Sequence, residues 1–252
     1  MTSKYDALEV RCSPDRAAIG AAAAARVAEI LRTACRAQGE ARVVFACAPS
    51  QDDFLAALLH EKVEWEKITI FHMDEYVGLT AAHPQSFRAY LREHLLAHIP
   101  PSREVHLLTG EREADVACAE YARALAEKPI DLVCMGIGEN GHLAFNDPPV
   151  ADFADPLLVK RVELDEVCRQ QQVNDGCFPT LAEVSTHALT LTIPALMRAA
   201  AISCVVPGER KAAAVRATLL GPVSTECPAS ILRRHANAVL HVDPPALSLL
   251  PS

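Results

Sequence analysis

The chain has 252 residues, half of them hydrophobic, and a formal net charge of -8 at pH 7. That much apolar material can build a sizeable core, which excludes an intrinsically disordered chain. The acidic balance excludes a broad nucleic-acid surface, which needs a basic excess. Nine cysteines are scattered with no two closer than nine positions, so no CxxC metal or redox spacing exists. Such a set suits a reducing cytosol better than a disulfide framework.

The N-terminus "MTSKYDALEVRC" lacks the apolar core of a signal peptide. Ser13-Pro14-Asp15 reads as a helix start, with Ser13 as cap and Pro14 in the first turn, and the helix runs to about Ala37. Its run "AAIGAAAAA" is too short to span a membrane, and "RVAEILRTACR" after it carries charges at helical spacing, so no membrane partner is expected. "RVVFACA" from Arg42 is strand-like, and "SQDDFLAALL" begins with a capping-box pattern, Ser50 with Asp53. "KITIF" (Lys67 to Phe71) is a strand, "PQSFRAYLREHLL" from Pro84 a helix, and "EVHLL" at 104–108 a short strand. A helix follows from about Glu113 to Glu127, then the buried strand "IDLVCM" at 130–135. "HALTLTI" and "AAISCVV" are further strands, "ERKAAAVRATLL" a helix, and "NAVLHV" at 237–242 the last strand. Helices and short apolar strands alternate without linker or repeat. The pattern predicts a single α/β domain over 1–252, Rossmann-like, with one mostly parallel sheet flanked by helices.

In such sheets ligands bind at the carboxyl ends of strands. After "KITIF" comes "HMDEYVGL", with Asp74 and Glu75; after "IDLVCM" comes "GIGENGHLAFNDP", with Asn140, His142, Asn146 and Asp147. After "AAISCVV" comes "PGERKAAA", which puts Lys211 in a helix first turn; after "VVFACA" comes "PSQDD", with Ser50 and Gln51. Carboxylates at two strand ends can move a proton to and from carbon, and a histidine beside a carboxylate can act as acid or base near neutral pH. A lysine with helix N-termini binds phosphate, and Gly138 and Gly141 allow close backbone approach to a ligand. The literal GxGxxG from Gly136 to Gly141 is a poor nicotinamide signature, because Pro148 and Pro149 stop the helix such a motif requires. Taken singly, each residue has an ordinary reading: a loop histidine, a solvated strand end, a surface lysine. Together they suggest acid–base work on a small phosphorylated substrate.

Two segments carry a resemblance. "FHMDEYVGL" with "HPQSF" downstream, and "GIGENGHLAFNDP", resemble the glucosamine-6-phosphate deaminase/isomerase family. "ALTLTIPALM", "PGERKAAAV" and "GPVSTECPASIL" resemble its later blocks in the right order, so the likeness runs from about residue 41 to 243. The resemblance implies a cytosolic enzyme without cofactor or metal, which turns a phosphorylated amino sugar, glucosamine 6-phosphate, and water into fructose 6-phosphate and ammonia. Homo-oligomer formation is left open. It implies Asp74 as the base that moves a proton between C1 and C2, His142 as the ring-opening histidine with Asp147 and Asn140 as partners, and Lys211 as a phosphate ligand. Many members of the family carry Asp in place of Asn140, and the place of Asp147 is usually Glu. Its glycine-rich phosphate loop is replaced here by "ACAPSQDDF", where Ser50 and Gln51 are the candidate ligands and Asp52 and Asp53 would compete with a phosphate. "CRQQQVNDGCF" offers Arg169 for the phosphate arginine, at a different spacing. Two other readings share the fold. A 6-phosphogluconolactonase has a different run after its glycine–histidine loop and no evident need for "DEY". A non-catalytic phosphosugar sensor carries an N-terminal helix-turn-helix, whereas the first forty residues here read as one long helix.

Overall fold

The computed structural model describes residues 2–174 and 176–251. In chain order its elements are β1 (Thr2–Tyr5), β2 (Leu8–Cys12), α1 (Arg16–Gln38), β3 (Ala41–Phe45), α2 (Asp52–Leu58), β4 (Ile68–His72), β5 (Asp74–Tyr76), α3 (Phe87–His94) and β6 (Glu104–His106). They continue with α4 (Ala114–Ala126), β7 (Leu132–Met135), β8 (Val159–Glu163), α5 (Glu166–Asn174), β9 (His187–Leu191), α6 (Ile193–Met197), β10 (Ala201–Val206), α7 (Ala212–Leu220) and β11 (Ala238–Val242). Eight strands form one sheet in the order β1-β2-β11-β10-β7-β3-β4-β6. Every pair in it is parallel except β1 with β2. This is the mostly parallel, helix-flanked α/β fold that the alternation of elements predicts.

Parallel strands are buried on both faces and so read as continuous apolar runs. β3, β4, β7 and β10 are buried along their whole length. On one face, Val43, Phe45, Ile70 and Leu132 pack under α1, α2 and α3. On the other, Val44, Phe71, Val133 and Ile202 pack under α4, α6 and α7. Arg42 is buried in this frame; its guanidinium donates to the carbonyls of Ala124, Leu125 and Lys128, closing the C-terminus of α4. Those carbonyls have no helical partner of their own.

Four expectations need correction. The first twelve residues are not helical: β1 and β2 form an antiparallel hairpin at the sheet edge, because Leu8 and Val10 alternate inward with Glu9 and Arg11 facing away. The cap of α1 is Asp15, whose carboxylate accepts from the Ala18 N–H, not Ser13. Ser50 caps nothing, and Asp53 instead pairs with Arg16 at 2.8 Å. The sheet is also not the only one. "DEY" is itself a strand, β5, which pairs antiparallel with β9, and β9 with β8, in a three-stranded sheet.

Two histidines, His72 and His241, are built into the large sheet with no hydrogen-bond partner found for their rings among the described residues. Neither ring nitrogen of His72 or His241 finds one, and both rings are fully buried. Burial, helped by Arg88 near His72 and by Arg11 and Arg26 near His241, pushes each imidazole down to about 3 from 6.5. Both are therefore neutral in the folded chain and protonate in the unfolded chain first. Stability is present above pH 6.5 and is lost as pH falls from there towards the folded values, by up to about 1.4 kcal/mol per pH unit for each ring. His241→Leu is expected to flatten the fall of the urea midpoint between pH 6.5 and about 5; a slope equal to the parent's would show that this ring carries none of the acid sensitivity.

Candidate active site

β10, β7, β3 and β4 are consecutive neighbours and run the same way, so the loops after them open on one edge. Those loops carry Lys211, the segment from Gly136 to Asp147, Ser50 with Gln51, and Asp74. They are tied together. Gln51 Nε2 donates to Ser50 Oγ and to the Val205 carbonyl, and Gly136 lies against both Gln51 and Ser50. Arg210 pairs with Glu139 at 2.7 Å across the rim. Lys211 ends the short turn Glu209–Lys211 that leads into α7.

The imidazole of His142 is held on one side. Its Nδ1 lies 2.8 Å from Asn140 Oδ1 and 3.0 Å from Asp147 Oδ1. Asn140 Oδ1 also accepts the His142 backbone N–H, and Asn140 Nδ2 donates to Asp147 at 2.8 Å. This network fixes which way the amide points. Nδ1 therefore faces two acceptors and carries the hydrogen, which leaves Nε2 as the acceptor of the neutral ring. Burial opposes ionisation of Asp147, but the hydrogen bond and charge of His142, with Asn140 and the Cys168 thiol, outweigh it and hold the carboxyl below the usual range. A Cβ on Gly138 would lie 2.2–2.4 Å from the His142 ring atoms, and one on Gly141 (φ +86°) would lie 2.6 Å from Cys227 Sγ. The two glycines thus make room for the protein's own side chains, which accounts for both without a ligand.

Asp74 has the opposite surroundings. It is 7% exposed at the start of β5. Burial, and then the negative Glu75 beside it, push its carboxyl well above the usual range. Glu75 accepts from the backbone of Tyr76, Phe87 and Arg88, from Ser86 Oγ and from Arg88 Nε. It anchors the loop into α3. Thr190 connects Asp74 to the histidine loop: it faces Asp74 across β5 and β9, and its Oγ1 accepts the Phe145 N–H at 3.1 Å. Asn146 Nδ2 donates to Leu143 O and Leu191 O, closing a turn in which Ala144 adopts φ +51°. A non-glycine residue there costs of order 1 kcal/mol, tolerated because the surrounding bonds enforce it. Thr190 escapes sequence reasoning as a site residue; the one signal was a polar residue inside an apolar strand.

Two expectations about phosphate change. Asp52 and Asp53 are engaged elsewhere, Asp52 by the Tyr90 hydroxyl at 2.6 Å and Asp53 by Arg16, so neither carboxylate is unopposed in the loop. Arg169 does not extend the cluster: its Nη2 donates to Leu181 O and Val184 O and so serves a neighbouring turn. Among the described residues no group of three or more His, Cys, Asp or Glu is disposed to hold a metal ion, and no helix is long and apolar enough to cross a membrane.

The family model described as glucosamine-6-phosphate isomerases/6-phosphogluconolactonase matches residues 14–157. The chain belongs to that family. A glucosamine-6-phosphate deaminase of Listeria monocytogenes is 36% identical over 206 residues, 81% of this chain and 86% of the relative. A solved glucosamine-6-phosphate deaminase, described as monomeric, superposes with a TM-score of 0.87 at 26% identity over 95% of this chain and 99% of that one. The 6-phosphogluconolactonase of Trypanosoma brucei superposes with a TM-score of 0.77 at 18% identity over the full length of both, a likeness of fold alone. Within the glucosamine-6-phosphate isomerase family, then, this member holds at one sheet edge an acidic side chain, Asp74, with no donor found among the described residues, and another, Asp147, with two.

That contrast has a thermodynamic signature. The folded chain disfavours the ionised Asp74, while the unfolded chain ionises it near the ordinary 3.8. Stability is thus intact below that pH and is lost as pH rises through the folded value. Asp74→Asn is expected to raise Tm at pH above about 7, with the gain shrinking towards zero as the pH falls to about 4. A variant less stable than the parent at neutral pH would show that the carboxylate is stabilised by contacts.

Proposed function

We propose that the chain converts glucosamine 6-phosphate and water into fructose 6-phosphate and ammonia. The observation that carries the reading is the pair of opposed environments: an imidazole pinned through Nδ1 with Nε2 left as acceptor, and, linked to its loop through Thr190, a buried carboxyl with no donor found among the described residues. Nε2 of His142 takes the proton of the anomeric hydroxyl and returns it to the ring oxygen, which opens the ring to the aldehyde. Asp74 then removes the proton from C2, and the electrons move to the carbonyl oxygen, which takes a proton from water, giving an enol at C1 with the amine on C2. Returning the proton to C1 makes a C2 iminium, which water converts to the ketone with release of ammonia. A carboxyl raised towards neutrality suits both halves of such a transfer between carbons. Lys211, at the entrance to α7, is read as the phosphate ligand, with Ser50 and Gln51 as its neighbours across the edge.

The relatives that match most of the chain support the same substrate. Seven cysteines, Cys35, Cys47, Cys118, Cys134, Cys168, Cys204 and Cys227, are buried thiols outside any disulfide, which supports a cytosolic enzyme. The base stands on the three-stranded sheet and the histidine loop on the large one, so neither makes the site alone, and we read 1–252 as one domain.

Ammonia and fructose 6-phosphate should appear together when glucosamine 6-phosphate is supplied. Hydrolysis of a phosphogluconolactone with no ammonia from any amino-sugar phosphate would replace this reading by the lactonase one. Asp74→Asn should abolish turnover in both directions, because a positioned base contributes about 10²–10⁴-fold. His142→Gln should damage turnover of the ring form far more than turnover of an open-chain analogue of the substrate, which has no ring to open. Equal damage to both substrates would sink that division of roles. Lys211→Ala should raise KM more than it lowers kcat, since a phosphate contact is largely uniform binding; an unchanged KM would remove Lys211 from the site.

A further inference from the structure

The turn that delivers Lys211 carries a second cation. Arg210 precedes the lysine in the turn Glu209–Lys211, just past the carboxyl end of β10. Its Nη2 reaches Glu139 Oε1 at 2.7 Å. Glu139 lies between Gly138 and Asn140, in the loop that holds His142, so this ion pair joins the lysine turn to the histidine loop. The turn is fixed from behind. Both oxygens of the Asp243 carboxylate accept the Gly208 N–H, at 2.9 and 3.0 Å, and Gly208 adopts φ +92°. The backbone entering the turn is therefore held, while the Arg210 side chain is 64% exposed and that of Glu139 33% exposed.

We infer that Arg210 is a second ligand for the substrate phosphate, and that Glu139 holds its guanidinium until the phosphate displaces the carboxylate. A phosphate monoester carries roughly two negative charges at neutral pH. Lys211 supplies one positive charge. The guanidinium at the next position supplies the second, in a planar fork that two phosphate oxygens can fill. Glu139 is a partner that yields. An ion pair this open to water contributes little on its own, and the incoming group brings more negative charge to the same donors. The other arginine at this edge is committed differently. Arg16 donates to Asp53 and also to the Pro49 carbonyl, so it secures the loop of Ser50 and Gln51. Arg210 instead links two loops through a carboxylate, which is the kind of acceptor a phosphate replaces.

The inference rests on the deaminase reading, which puts the phosphate beside Lys211. Calorimetric binding of glucose 6-phosphate, which has no amine to release, tests it without turnover. Arg210→Ala should weaken that binding about tenfold, and Arg210→Lys, which keeps the charge and loses the fork, by less. Glu139→Gln breaks the same ion pair, yet it should strengthen binding about threefold, because it removes the competing carboxylate. The gain from Glu139→Gln should shrink when Arg210 is already Ala. A bridge that only stiffens the rim predicts the same sign for Arg210→Ala and Glu139→Gln. Weaker binding in Glu139→Gln, unchanged binding in Arg210→Ala, or a parent that does not bind the ester would each overturn the inference. Opposite shifts in a protein that releases no ammonia from glucosamine 6-phosphate would support it and strike the deaminase reading alone.

Discussion

A carboxyl group taken out of water has a choice of two states, and nearby hydrogen-bond donors make the choice. The cleft is arranged around having both outcomes side by side. Asp147 has Asn140 and His142 as partners, and they hold its carboxyl below the usual range despite its burial. Asp74 is buried against a neighbouring negative charge and resists ionisation. Glu75 could have blurred the contrast, but its own donors from the start of α3 occupy it. The remaining features serve to keep these two environments apart: the absent side chain at Gly138, the forced turn at Ala144, and the Thr190 hydroxyl between the two segments.

Much of this was legible in the sequence, and the reasons are physical. β4, β7 and β10 are buried on both faces, so their apolar runs stand out, and the loop after each run must sit at one edge. That logic delivered Asp74, His142 and Lys211 to a common edge. It failed where the local pattern was weak. β2 has only two inward residues, too few for its period to show beside the long helix after it. β5 has three residues, and β8, with one face open to solvent, carries Lys160 and Arg161.

Roles were harder to read than places. Arg169 lies in the right part of the chain, but spacing says nothing about where a guanidinium points, and carbonyls of the 181–184 turn claim it. A glycine announces that something comes close without saying what; for Gly138 it is the His142 ring. The acidic pair Asp52 and Asp53 looked hostile to an anion because their partners, Tyr90 and Arg16, are 38 and 37 positions away.

The base and the imidazole stand on different sheets, and this gives the enzyme the character of a two-jawed tool. Each jaw is internally stiff, being a hydrogen-bonded ladder. They are joined by the Thr190 hydroxyl, the Asn146 amide, the backbone bonds of Met73 to Phe45 and Leu191, and an aromatic seam formed by Tyr76, Phe87 and Phe145. A change in the side chains of that joint moves one jaw against the other while each ladder stays intact, so the alignment of Asp74 with His142 is a property separate from the integrity of either sheet.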